Sequence, residues 1–235
     1  MIKAIWNIEP SANIPLFEKV WRFRHRHFVE RFGWEALRKS DEREIDQFDT
    51  ADAIHLPLID DEGQVLGYSR LLKTTAPHLL SDVYPELMDG RAWPTGETIY
   101  EWTRCVAEPG ATIRGIQASN ALLTGVLEYC LTAGISALIV ETHPKLVQLL
   151  VNNDWNVLPL CSPTMLGTDL VLPIHAEISA RALMAHHRNY GINGSLLDLS
   201  YCPANPLRPD DELRTLPYLE GQHVDVSAAM RIAGE

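Results

Sequence analysis

This chain has no long apolar run. None of its segments approaches the ~20 consecutive apolar residues that a membrane-spanning helix needs, although 46% of its 235 residues are hydrophobic. No membrane span is therefore expected. The opening decapeptide, MIKAIWNIEP, also lacks the apolar stretch of a secretory leader. Cysteine is scarce. Cys105, Cys130, Cys161 and Cys202 are scattered, with no CxxC spacing. That argues against a zinc site or a disulfide frame, and for reduced thiols in a cytoplasmic protein. Basic residues are outnumbered: 20 Lys and Arg stand against 31 Asp and Glu, a net charge of −11. Nucleic acid is not expected as a partner, because neutralising phosphates takes clustered base. His25, His27, His143, His175, His186 and His187 lack metal-ligand spacing, so no metal is expected. Internal repeats and low-complexity tracts are also missing.

What is present suffices for one sizeable core. Residues 2–6 read as a short first strand and 14–30 as an amphipathic helix, with Leu16, Phe17, Val20, Trp21, Phe28 and Val29 at helical spacing. Residues 31–50 are polar and read as a structured loop. Segments 53–60 and 64–72 flank Asp61-Glu62-Gly63, a hairpin signal, and Pro57 makes the first an edge or bulged strand. A short helix is expected near 77–88, a central strand over 99–106, and a long helix over 115–133 ending at Gly134. A buried strand over 135–141, a helix over 144–152, strands over 155–160 and 168–174 and a helix over 176–188 follow. That order is α/β with a mixed, twisted sheet. Past Tyr190 the composition turns to Gly, Pro, Asn and Asp. One domain over 1–190 and a loosely packed tail over 191–235 are therefore expected.

Four strings in the first half stand out: RFRHRHFVERFGW, EIDQFD, GYSRLLKTT and YEWTR. They carry Arg24, Trp34, Glu44, Asp46, Asp49, Arg70, Glu101 and Arg104. Charges beside aliphatic strands are costly to keep inside a fold without partners. The set points to a site for a zwitterionic or cationic small molecule. The stretch from Lys19 to Lys39 is locally basic; it reads either as a solvated helix face or as a lure for an anionic ligand.

The pattern is Arg24 and Phe28 four apart, Trp34 just beyond, then Glu44, Asp46, Phe48 and Asp49. Arg70 and LLKTTAPHLLSDVYPEL come next, followed by Glu101 and Arg104 three apart. Taken in this order and spacing, it resembles the acyl-homoserine-lactone synthases, the LuxI-type autoinducer synthases, over about residues 1–175. The resemblance implies a GNAT-like three-layer fold with helices on both faces of the sheet. It implies transfer of an acyl group from a thioester to the amine of S-adenosylmethionine, then lactone closure with release of methylthioadenosine, making a quorum-sensing signal. Both molecules are substrates, and no cofactor is implied.

On that resemblance, Arg24, Phe28, Trp34, Asp46, Asp49, Arg70 and Arg104 bind S-adenosylmethionine, and Glu101, Asp46 and Arg104 are the catalytic set. The chemistry fits. Carboxylates suit an ammonium and a sulfonium, aromatic faces suit a sulfonium or adenine, and guanidinium groups suit a carboxylate. Glu101 is the candidate for the amine's proton. Bracing is the competing reading. Arg70 and Arg104 can instead pair with Asp46, Asp49 or Glu101 to lock the loop onto the sheet. A Glu101–Arg104 brace needs a bulge, since residues three apart on a strand face opposite sides. Such a bulge would also free an N–H for the oxyanion.

For the donor, Trp102 and Cys105 flank the YEWTR carboxylate and arginine. Arg114-Gly115 reads as a helix N-terminus fit for phosphopantetheine or pyrophosphate. Leu138, Ile139, Val140 and Trp155, with Leu122, Val126 and Leu149, are tunnel candidates or plain core. Cys105 is not read as a nucleophile, since the thioester is already activated and no histidine partner is evident. ISALIVE lacks the threonine expected for a 3-oxo preference, with Thr142 just beyond it. The acidic net charge opposes an acidic acyl-carrier protein, so acyl-CoA is favoured over that carrier as the donor. Another GNAT-type N-acyltransferase, acting on a different amine, would need neither EIDQFD nor YEWTR, and a non-catalytic ligand-binding module would not need Asp46, Asp49 and Glu101 intact.

Overall fold

Along each central strand the side chains alternate between an apolar face and a polar one. Ile54, Leu56, Leu58, Leu71, Tyr100, Trp102, Leu138, Val140, Leu172, Ile174 and Ala176 share one buried cluster. His55, Arg70, Glu101, Thr103 and Glu141 occupy intervening positions and turn the other way. The structure is a computed structural model and describes residues 1–3, 5 and 15–198.

The main sheet has the order β11-β1-β2-β3-β4-β7-β10-β8, with β9 added on β10. Its strands are β1 (Ile2–Lys3), β2 (Ile54–Ile59), β3 (Val65–Lys73), β4 (Ile99–Ala107), β7 (Ala137–Thr142), β8 (Val157–Pro159), β9 (Thr164–Leu166), β10 (Asp169–Glu177) and β11 (Leu197–Asp198). Only β1–β11 and β4–β7 run parallel. A separate hairpin joins β5 (Thr112–Ile113) to β6 (Ile116–Gln117). α3 (Ala118–Ala133) and α5 (Ala180–Tyr190) cover the apolar face; α4 (Pro144–Val151) lies between β7 and β8. α1 (Pro15–Arg24), its π-helical continuation His25–Arg31, and α2 (Leu79–Asp82) cover the other face. This is the α/β, GNAT-like three-layer arrangement. No helix among the described residues is long and apolar enough to cross a membrane.

Pro57 lies inside the sheet, with β1 on one side of its strand and β3 on the other, so the edge reading fails. The bulge reading holds: the β2–β3 register shifts between Leu58 and Ile59. His55 and Ile59 send their N–H groups to Ile5 and Met1. Pro57 lies between them on the same side, where its missing N–H costs one bond to a very short strand.

Three expectations need correction. The long helix starts at Ala118, not 115, because residues 112–117 form the small hairpin. The helix near 77–88 is two pieces, α2 and a 3₁₀ turn Pro85–Met88. The domain does not stop at 190. Leu197 and Asp198 pair with Ile2 and Lys3, and Ile192, Leu196 and Leu197 are buried. Glu128 on α3 anchors this stretch, accepting from Ser195 Oγ (3.0 Å) and Leu196 N (2.8 Å). The rest of the expected tail, 199–235, lies outside the described residues.

α3 lies so close to β1 that a Cβ on Gly125 would stand 2.3 Å from Ile2 Cγ1. A real contact that short does not occur, so one element must move. Gly125→Ala is expected to lower the unfolding free energy by roughly 1–3 kcal/mol. Urea denaturation of the purified variant measures it, and an unchanged midpoint would contradict this packing.

Candidate active site

The polar face carries a buried ionic network. β3 and β4 present Arg70 and Thr103, α1 presents Arg24, and the loop at 44–49 brings three carboxylates. That loop is held in shape by its own bonds, Asp46 N to Asp49 Oδ2 (2.9 Å) and Phe48 N to Asp46 Oδ1 (2.9 Å). Glu44 N ties it to Trp21 O at 3.1 Å. Arg24 donates to Glu44 and, at 2.7 Å, to Asp49 Oδ1. Arg70 reaches the same Oδ1 at 2.7 Å, Asp46 Oδ1 at 2.6 Å and Thr103 Oγ1 at 3.1 Å. Arg104 donates to Asp46 Oδ2 (2.8 Å) and Glu44 Oε1 (3.3 Å). Three guanidinium groups thus face three carboxylates.

The interior of this network is dry. Side chains of Arg24, Glu44, Asp49 and Arg70 have 0% exposure, whereas Asp46 and Arg104 keep 7% each. Burial works to raise the carboxyl of Asp49, but Arg24 and Arg70 overcome it and hold the group below its ordinary range. Asp46 is lowered in the same way, burial being outweighed chiefly by Arg70. Burial holds His55 neutral, down at about 3. Its Nδ1 shares a 2.6 Å hydrogen bond with Tyr68 Oη, which also receives Arg24.

The outer edge of the network is aromatic. The π-helical turns bury His25, His27, Phe28 and Val29 nearly in succession, more than an α-helical stripe would. Phe28 stacks on Trp34 with centroids 5.0 Å apart. The Arg104 guanidinium lies 5.4 Å from both rings. Trp34 is 40% exposed, so this edge faces solvent.

β4 carries the expected bulge. Arg70 pairs with Thr103 but Tyr68 with Val106, and Arg104 has φ 55. A left-handed arginine is strained backbone, held here by its ion pairs. The bulge does not join Arg104 to Glu101, so the Glu101–Arg104 brace is absent. Glu101 is fully buried and faces α2 instead. It accepts from Leu79 N (2.8 Å), Leu80 N (2.7 Å) and shares a 2.9 Å bond with His78 Nδ1. Glu101 also marks a fork. β4 and β7 pair from Ile99–Ala137 to Glu101–Ile139 and no further, though both strands continue. Glu141, two residues past the fork on β7, has a buried Oε1 without a hydrogen-bond partner among the described residues. Burial, and then the charge of Glu101, push its carboxyl up.

The residues expected to bind the acceptor, Arg24, Phe28, Trp34, Asp46, Asp49, Arg70 and Arg104, therefore converge, and Glu101 lies on the same sheet face, two residues from Thr103. The bonds of Arg70 to Asp46 and Asp49 and of Arg104 to Asp46 are those of the bracing reading, and Arg24 joins them through Asp49. The residues expected to bind the donor do not all converge. Trp102, Leu138, Val140 and Trp155 belong to the core under α3, with Trp102 stacked on Trp155 at 6.3 Å. Ile139 lies on the opposite face, packed with Leu80, Leu87 and Met88. Cys105 is exposed at the bulge. Arg114 and Gly115 (φ 51 and 78) are the two turn residues of the β5–β6 hairpin, so they do not open α3, whose N-cap is Gln117. Sequence reading missed Tyr68, Thr103 and His78. Tyr68 and Thr103 stand two residues from Arg70 and Glu101, so strand periodicity alone places them on the site's face; His78 carries no such signal.

The family model described as autoinducer synthase matches residues 11–184. The chain belongs to the autoinducer synthase family. It is 29% identical over 192 residues to an isovaleryl-homoserine lactone synthase of Bradyrhizobium diazoefficiens, covering 82% of this chain and 86% of that protein. An acyl-homoserine-lactone synthase of Acinetobacter nosocomialis is 32% identical over 143 residues, 58% and 77% of the two chains. A solved CoA-dependent acyl-homoserine lactone synthase with S-adenosylmethionine and isopentyl-CoA superposes with TM-score 0.77 at 28% identity, covering 85% of this chain and 92% of that one. The chain is an acyltransferase of this kind, an acyl-homoserine-lactone synthase.

Buried neutral histidines and ion-paired carboxylates both make stability pH-dependent. His55 (about 3) and His186 (about 4, lowered by burial first) lie below the unfolded value near 6.5. Below that value the unfolded chain binds protons that the native fold refuses, so their stabilisation shrinks as pH falls from about 6.5. Asp49 and Asp46 add a second loss below about pH 4, where the unfolded carboxyls protonate first. Urea unfolding between pH 7.5 and 4 should show stability falling from about 6.5 downwards. A flat profile from 6.5 to 5 would contradict the neutral burial of His55 and His186.

Proposed function

We propose that this synthase takes the acyl group of an acyl-CoA, forms an amide with the amine of S-adenosylmethionine, and closes the lactone with release of methylthioadenosine. The supporting observation is the joint placement of an electroneutral Arg–carboxylate network, a solvent-facing aromatic pair and a strand fork on one sheet face. Asp46 and Arg104 are its partly exposed charges. Asp46 receives the acceptor's ammonium and Arg104 its carboxylate, while Phe28 and Trp34 offer their faces to the sulfonium or adenine. Arg104's guanidinium already lies over both rings, a position that suits a cation. Arg24, Asp49 and Arg70 act one layer deeper, fixing the loop that carries Asp46.

At the fork, the thioester carbonyl sits near Glu101, whose carboxylate serves the removal of the attacking amine's proton. The bulge after Glu101 supplies a backbone N–H for the oxyanion. Lactone closure then needs only positioning, because the sulfonium is already a leaving group. Acyl-CoA, rather than acyl-carrier protein, is favoured by the net charge of −11 and by likeness to a CoA-dependent relative. No resident cofactor is required, and the reaction takes place in the cytoplasm.

The test is methylthioadenosine release from S-adenosylmethionine across a panel of acyl-CoAs and acyl-carrier proteins, with mass spectrometry of the lactone. No release with any donor would end this reading. Glu101→Gln should slow turnover by roughly 10²-fold or more while S-adenosylmethionine affinity changes little. An equal loss of affinity would make Glu101 a binding residue.

A further inference from the structure

We infer that His78 is the proton acceptor of the amide-forming step, with Glu101 as the carboxylate that orients it. This rests on the reaction proposed above and assigns the proton within it. Glu101 is poorly placed to take the proton itself. Its Oε1 already holds Leu80 N and His78 Nδ1, and its Oε2 holds Leu79 N. Three of the four acceptor positions of the carboxylate are filled. His78 offers what Glu101 lacks. With Nδ1 turned to a carboxylate at 2.9 Å, the imidazole carries its proton on Nδ1 and leaves Nε2 as a bare lone pair. Nε2 is buried, with no hydrogen-bond partner among the described residues. An N–H there would be an orphaned donor, so the alternative tautomer is the costlier one.

The surroundings suit a transient imidazolium. His78 has 0% exposure, and its ring meets Trp93 edge-on at 5.8 Å. The ionisable groups near it are Glu101 from β4, Asp82 from its own helix, which accepts His78 N at 3.2 Å, and Glu141 from β7 beyond Glu101. Carboxylate, imidazole and an open nitrogen form the base-plus-orienter arrangement of nucleophile-activating sites. Here the nucleophile is the acceptor's amine in its neutral form, left when the ammonium has given one proton to solvent. Its nitrogen attacks the thioester carbon, forming the C–N bond. The adduct's extra proton passes to Nε2, directly or through one water. The C–S bond then breaks, and the departing thiolate takes that proton from the imidazolium.

His78→Asn tests this, because an asparagine amide can still donate to Glu101 where Nδ1 did. Turnover should fall by roughly 10²-fold with the KM for S-adenosylmethionine nearly unchanged. The acid limb of the kcat/KM–pH profile, to which the acceptor's own ammonium also contributes, should lose the share that the imidazole supplies. A variant turning over within about threefold of wild type with the same acid limb overturns the inference. ¹⁵N NMR of the wild-type imidazole supplies an independent measure should the variant fail to fold. Protonated Nδ1 with bare Nε2 supports the inference, and a neutral ring protonated on Nε2 overturns it. A wild type that releases no methylthioadenosine with any donor takes the reaction down as well, whereas an active wild type with an unimpaired His78→Asn takes down this inference alone.

Discussion

One oxygen atom organises the polar half of this protein. Asp49 Oδ1 receives Arg24 from α1 and Arg70 from β3, both at 2.7 Å and both out of water. Three segments distant in sequence meet there, and none of the charges can be left alone. Removing one member of such a buried set typically costs about 3–5 kcal/mol, because the remaining charge stays buried and uncompensated. The network is thus weak evidence of net stability and strong evidence of specification. It fixes where loop 44–49 lies, and so where Asp46 meets Arg104.

The same network explains the gradation from brace to site. Exposure rises outward, from nothing at Asp49 to a few per cent at Asp46 and Arg104 and to 40% at Trp34. The inner charges are saturated and rigid; the outer ones retain a side open to an incoming molecule. The strained backbone at Arg104 belongs to this design. The bulge swings its side chain away from Glu101 and onto the loop, so one strand serves two separate groups.

Sequence and structure agree where a pattern is repeated. The strands, the long apolar helix and the family strings were readable because alternation, helical spacing and ordered polar residues each recur over many positions. The convergence of Arg24, Asp46, Asp49, Arg70 and Arg104 followed from the same strings. Features set by a single contact were not readable. Arg114-Gly115 looks like a helix start, yet two left-handed residues in succession make it a hairpin turn. Leu197-Asp198 sits in a stretch poor in strand formers and is held by Glu128, 67 or more residues away. Glu101 sits three residues from Arg104, which suggests a pair, and only the bulge reveals that its partner is His78.

The contact between Ile2 and Leu197 has a kinetic side. These residues are adjacent rungs of one sheet, and Ile2 is also the residue wedged against Gly125 of α3. The edge of the sheet therefore closes only after nearly two hundred residues of chain have been made. Long-range strand pairing of this kind folds slowly, since loop entropy is lost before the contact is gained. Until then the short strand β1 is the open edge of the sheet, the kind of surface that chaperones and aggregation compete for.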